Sequence, residues 1–151
     1  MYVDGGLVAA DSDYARRLAD VETWAEHGQV LVAVERREVL GCVVLLLRRG
    51  PLSEVAEDAD EVEFRLLAVD PEHRRRGVGR QLVCDCIARA RRARAARLVL
   101  PTTDEMTAAH ALYTDLGFVE QDDRAVDLPG GVHLRVFVLE LQLDGAPVSA
   151  G

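Results

Sequence analysis

The sequence predicts an α/β (α+β) fold, a mixed central sheet of about six strands with helices on its faces. Three observations carry this. Apolar residues recur with a period of two in some segments and at helical spacing in others. The resulting order is helix, hairpin, strand, helix, strand, helix, hairpin, which calls for a sheet covered by helices. Finally, 151 residues with about half of them apolar suffice for one well-buried core. Residues 1–143 are therefore read as a single domain and 144–151 as a disordered tail.

The elements follow in order. Ser12 or Asp13 can cap a helix in which Tyr14, Leu18, Val21 and Ala25 recur at helical spacing, ending near Gly28. Val30 to Glu35 alternates as a strand, Arg36-Arg37-Glu38 turns, and Val39 to Leu47 is a second, more buried strand. Residues 48–60 hold Gly50, Pro51 and many acids, and read as a loop. Val62 to Val69 is a third strand, followed by Asp70-Pro71 and an Arg/Gly loop. From Gly79 onward, Leu82, Val83, Cys86, Ile87 and Ala90 form one apolar stripe, an amphipathic helix. Leu98 to Leu100 is a short strand stopped by Pro101. Thr103 or Asp104 can cap the next helix, with Ala108, Ala109, Leu112 and Leu116 on its buried face. Gly117 suits the left-handed position just past that helix, and Phe118 the apolar contact that follows it. Val119–Gln121 and Val132–Leu143 complete the pattern as two strands, with Pro129-Gly130-Gly131 as the bend between them.

Charge and cysteine usage narrow the function. The net charge is −8 and every positive side chain is arginine, half of them between Arg74 and Arg97. The rest is acidic, notably Glu54, Glu57, Asp58, Asp60, Glu61 and Glu63. Such segregation points to one anionic ligand beside the basic block and a cationic or neutral one elsewhere. Nucleic acid is excluded as a partner, because the chain is acidic and poor in aromatic stacking platforms. No apolar run reaches the roughly 18–20 residues of a membrane span, and no signal peptide is visible. Cys42, Cys84 and Cys86 make an odd, unpatterned set, read as free thiols in a reducing cytoplasm without metal or disulfide.

Arg74-Arg75-Arg76-Gly77-Val78-Gly79 lies between a strand and a helix and is the strongest local signal. Two glycines let the backbone approach a ligand, and the helix beyond directs free N–H groups and a positive dipole end at it. Phosphate fits such a terminus, and Arg80 adds further charge. A nucleotide triphosphatase is disfavoured, since no Gly-Lys-Ser/Thr follows. A dinucleotide site is disfavoured by the missing third glycine.

The run Leu67-Ala68-Val69-Asp70-Pro71-Glu72-His73-Arg74-Arg75-Arg76-Gly77-Val78-Gly79 closely resembles motif A of the GNAT (GCN5-related N-acetyltransferase) superfamily. Ala109-His110-Ala111-Leu112-Tyr113-Thr114-Asp115-Leu116-Gly117-Phe118 resembles its motif B, at the usual distance. With Glu63-Phe64-Arg65 and Met106, the likeness is nearest to a poorly characterised actinobacterial subgroup. The resemblance implies the GNAT fold and transfer of an acetyl or other acyl group from acyl-CoA, without metal, to a primary amine on a small molecule or peptide. It places the cofactor pyrophosphate on Arg74, Arg75, Arg76, Gly77, Val78, Gly79 and Arg80. The pantetheine arm would run along the backbone of Leu67, Ala68 and Val69, with Ala109 also at the cofactor. A strand bulge would open a gap between Leu66–Val69 and Leu98–Leu100. Tyr113 matches the tyrosine that protonates the departing thiolate, and Glu63 is the candidate base, with Glu61 as its substitute or neither serving. The competing reading of Glu63 is an outward strand residue paired with Arg65.

Two departures from the pattern matter. Met106 stands where many members carry an asparagine that contacts CoA, so contact there would be apolar. Residues 1–13 are too few for the usual first strand and first helix. The first hairpin strand is then expected to expose an edge, which a homodimer contact would cover. These departures keep open an alternative, a non-catalytic acyl-CoA-binding module with an incomplete acceptor site. The acidic stretch Glu54–Asp60 would suit a cationic acceptor by attraction.

Overall fold

Alternating apolar residues pair Gln29–Glu35 (β1) with Glu38–Leu46 (β2) in an antiparallel hairpin whose loop is Arg36 and Arg37. The computed structural model describes residues 28–48, 50, 53, 55–57, 59–73, 77–104 and 106–141. The helix expected from Tyr14 to Ala25, the N-terminal segment expected to be too short for a first strand and helix, and the tail fall outside these residues. Among the described residues seven strands form the sheet, in the order β1-β2-β3-β4-β7-β5, with β6 paired to β7. The remaining strands are β3 (Glu61–Val69), β4 (Arg97–Thr102), β5 (Val119–Glu120), β6 (Val126–Leu128) and β7 (Val132–Glu140). The fold class is the one expected, a mixed sheet flanked by helices, with one strand more than the sequence indicated. That strand, β6, has only three residues and arises because Pro129-Gly130-Gly131 closes a hairpin with β7 rather than joining β5 to it.

All strand pairs are antiparallel except β3 with β4, which the crossover through helix α1 (Val78–Arg92) makes parallel. One cluster gathers Val43, Leu45, Val62, Phe64, Val83, Cys86, Leu98 and Phe118. The helix contributes Val78, Leu82, Val83, Cys86 and Ala90, with Ile87 at its margin, close to the predicted stripe. Gly41 is what lets α1 lie so near the sheet. A Cβ there would stand 2.8 Å from Ala68 O and 3.2 Å from Val78 Cγ1 and Leu82 Cδ1. Val99, Val136 and Val138 form a smaller cluster with Val55.

β3 holds the decisive irregularity. Its pairing with β2 shifts between Cys42–Ala68 and Val44–Arg65, which leaves one extra residue on β3. Leu66 takes φ +60° within that bulge. On its other edge β3 pairs with β4 only from Glu61–Arg97 to Glu63–Val99, and the two strands then part. The gap therefore begins two residues later on β4 than expected, since Leu98 and Val99 are still paired and only Leu100 to Thr102 diverge. Pro101, expected to stop β4, sits inside it opposite Val136. Along the diverging edge no ladder asks for the N–H that proline lacks.

The second helix, α2, spans Thr107–Asp115. Its N-cap is Met106, without a side-chain cap, so neither Thr103 nor Asp104 fulfils that role. Ala108 is exposed, whereas Tyr113 is the helix's buried residue. The helix ends as predicted. Gly117 has φ +101°, Phe118 N donates to Tyr113 O at 2.9 Å, and Gly117 N donates to Thr114 O at 3.1 Å. No helix among the described residues is long and apolar enough to cross a membrane.

Candidate active site

The β3–β4 crossover places the start of α1 beside the end of the diverged strand. Gly77 is the N-cap with φ +80°, and no acidic residue lies in the first turn. A Cβ on Gly77 would meet nothing within 4 Å, so its backbone angle, not crowding by protein atoms, calls for glycine. At Gly79 a Cβ would sit 3.6 Å from Leu112 and 3.6 Å from Val69, which brings both helices and β3 to one place. Leu67, Ala68 and Val69 follow the bulge, with Ala68 and Val69 paired to Cys42 and Gly41 on the β2 side. Arg80 forms an ion pair with Asp115 that ties the first turn of α1 to the end of α2. Arg74, Arg75 and Arg76 lie outside the described residues.

Between the parted strands lies a cleft of about 380 Å³, lined in part by Phe64, Leu67, Pro101, Met106 and Tyr113. Tyr113 is only 4% exposed. Its ring is held by Phe64, Phe118 and Phe137 at centroid distances of 5.8, 5.9 and 5.7 Å. Ala109, one helical turn earlier, is half-buried against the core. Met106 reaches the cleft, with its sulfur 3.6 Å from Thr102 Oγ1.

Glu61 and Glu63 lie elsewhere. Glu63 is fully buried, and its Oε1 accepts the N–H groups of Val55 and Ala56 at 3.0 and 2.9 Å. Its Oε2 is 3.8 Å from Arg65 Nε. The Arg65 pairing foreseen for it is present, but on a sealed face rather than an exposed one. Glu61 accepts from Arg124 at 2.7 and 3.1 Å, from Arg97 at 3.3 Å and from Glu57 N at 2.9 Å. Burial pushes its pKa up, yet the Arg124 and Glu57 hydrogen bonds, with the charges of Arg124 and Arg97, more than offset this and hold it below the ordinary value. A carboxylate so satisfied is a poor proton acceptor. Burial raises the Cys42 thiol to about 11 and Cys86 to about 12, which leaves neither as a nucleophile.

The cleft also contains residues that the sequence did not assign to it. Arg65 and Thr102 line it, as do Leu128, Val132 and Leu134 of the β6–β7 hairpin. Period-two alternation could have marked Arg65, but nothing local announces which strands will diverge.

The site thus combines a bulged strand, a parallel neighbour that leaves it, a helix started by a glycine and a tyrosine lining the gap. The acetyltransferase (GNAT) family model matches residues 7–118, and the chain belongs to that family. It is similar to yncA of Salmonella typhimurium, solved with its cofactor acetyl-CoA: 26% identity, 91% of this chain and 79% of that one, TM-score 0.64. The fold is shared with a GNAT family acetyltransferase of Elizabethkingia anophelis with acetyl-CoA bound, at 24% identity, 87% of each chain and TM-score 0.65. Over 87 residues, 58% of the chain, it is 33% identical to rat N-acetyltransferase family 8 member 3. It spans 36% of that relative's length.

Proposed function

We propose that the protein transfers an acetyl group from acetyl-CoA to a primary amine by direct attack. The carrying observation is the parting of β3 from β4 after Glu63–Val99, with Tyr113 lining the cleft so formed. The pyrophosphate would rest on the N–H groups of Gly77, Val78, Gly79 and Arg80, beside Arg74–Arg76. The backbone of Leu67 to Val69, no longer paired to β4, would hold the pantetheine amides, with Ala109 alongside. Acetyl-CoA bound to yncA supports this co-substrate.

The amine lone pair forms the new C–N bond, and the thioester carbonyl becomes an oxyanion. Collapse breaks the C–S bond, and the Tyr113 hydroxyl gives its proton to the leaving sulfur. The proton lost by nitrogen passes through cleft water to solvent, because Glu63 is sealed from the cleft and held by the N–H groups of Val55 and Ala56. The products are an N-acetyl amine and free CoA.

Replacing Tyr113 by Phe keeps the ring packing and removes the acid. Turnover should fall by about 100-fold or more while calorimetric affinity for acetyl-CoA changes little. Unchanged turnover removes Tyr113 from this role, and absence of acetyl-CoA binding by the native protein removes the reading itself.

A further inference from the structure

The polar side chains that line the cleft point to the kind of amine it takes, granting the transfer reading above. Among its described lining residues the polar side chains are Arg65, Thr102, Thr103 and Tyr113, and Arg65 is the charged one. Glu63 lies sealed behind Arg65, so from within the cleft the pair presents its cationic end.

Thr102 is set as a donor by a chain of partners reaching the surface. Glu120 grips Arg135 with two hydrogen bonds, at 2.7 and 2.6 Å. Arg135 Nη1 is 3.3 Å from His110 Nδ1. A guanidinium has only donors, so Nδ1 accepts and the ring hydrogen is assigned to Nε2. Nε2 is 3.2 Å from Thr102 Oγ1, which therefore accepts it. The threonine's own hydrogen is left to point elsewhere, toward Met106 Sδ at 3.6 Å. A thioether is a weak acceptor, and a ligand oxygen would displace it. The same cleft has apolar lining from Leu128, Val132 and Leu134.

A cation, an oriented hydroxyl donor and apolar walls suit a ligand with acceptor oxygens and a hydrophobic body. They do not suit a polycation. Glu61 and Glu63, the acids of β3 that follow the Glu54–Asp60 stretch, are buried and committed to Arg124, Arg97, Arg65 and backbone N–H groups, so neither offers the cleft a carboxylate. We propose that the acceptor is an amine that also carries a carboxylate and an apolar substituent, the carboxylate held by Arg65 with Thr102 donating to it. The apolar substituent would lie on the β6–β7 hairpin. Arg65 and Thr102 are thus specificity residues, and His110 and Arg135 position Thr102.

The test follows thiol release by the full chain with leucine and phenylalanine, their neutral amides, and spermidine. The free acids should exceed their amides in kcat/KM by about 10-fold or more, as a charge-assisted contact provides. Arg65→Met should collapse this acid-to-amide ratio toward one, and Arg65→Lys should restore part of it. Thr102→Val and His110→Ala should raise KM for the acids more than they lower kcat. A preference for spermidine or the amides, or a ratio unmoved in Arg65→Met, overturns the inference while acetyl transfer stands. Thiol release with none of these amines, with acetyl-CoA still bound, removes the transfer reading and the inference together.

Discussion

The two halves of β3 share one strand and do opposite work. From Glu61 to Glu63 it is paired to β4, with Glu63 paired to β2 as well, and carries two buried carboxylates satisfied by arginines and backbone N–H groups. From Phe64 onward it has lost β4, bends at Leu66 with φ +60°, and borders a cleft. A parted pair of strands forgoes ladder hydrogen bonds and exposes backbone groups that water or a ligand must satisfy. The closed half compensates by anchoring residues 55–57 and Arg124 across the sheet. The lesson is that an opening in a sheet is stable where the neighbouring segment is over-determined.

The largest effect should come from breaking the closed half. Glu61→Ala leaves Arg124, with its side chain 8% exposed, facing a lost counter-charge. Loss of a buried ion-pair partner costs about 3–5 kcal/mol, readable in urea denaturation. The pH dependence has a definite sign. The folded pKa of Glu61 is below its ordinary 4.5, so its contribution is complete above that value and fades as pH falls through the folded one. Glu61→Gln should therefore lose stability less steeply than the native protein in acid. Parallel acid curves for the two would mean that Glu61 carries no such linkage.

Legibility in the sequence divides along the same line. The helix stripe from Leu82 to Ala90 and the Gly117–Phe118 terminus were readable, because spacing and glycine chemistry are local. So were the motifs around Gly77 and Tyr113. The burial of Glu61 and Glu63 was not, since an acid in a strand reads as solvent-facing until its arginine arrives from a remote segment, here Arg124. Pro101 misled for a related reason: it ends a strand only where the ladder needs its N–H. The cap of α2 passed to Met106, so Thr103 and Asp104 showed propensity without geometry.

Glu63 sits where the halves meet, and a single substitution separates an anchor from a base. Gln keeps an oxygen able to accept from Val55 N and Ala56 N but cannot take a proton. Glu63→Gln should fold with near-native stability and keep near-native kcat, as expected of a sealed anchor of the closed half. A loss of about 100-fold in kcat, together with the limb of the pH–rate profile that a base creates, would instead give Glu63 the role of the base.

The smallest effect belongs at the far edge of the sheet, where a change touches neither half and serves as the control. The β1–β2 loop has two residues between Glu35 and Glu38, and both take positive φ, Arg36 at 50° and Arg37 at 67°. That sign pattern is the one of a type I′ turn, which matches strand twist but disfavours arginine at both positions. Asn and Gly adopt it with less strain, so Arg36→Asn with Arg37→Gly should stabilise the fold by about 1 kcal/mol. In a chain of this size that is a rise in Tm of roughly 2–4 °C. Acetyl transfer should be unaltered, because none of the described residues lining the β3–β4 cleft belongs to β1, β2 or the loop between them. A thermal shift without a kinetic one would confirm that stability can be raised on this sheet without closing the cleft. A kinetic change in the double variant would instead show that the two ends of the sheet are coupled, and the independence drawn between the closed and open halves of β3 would have to be abandoned.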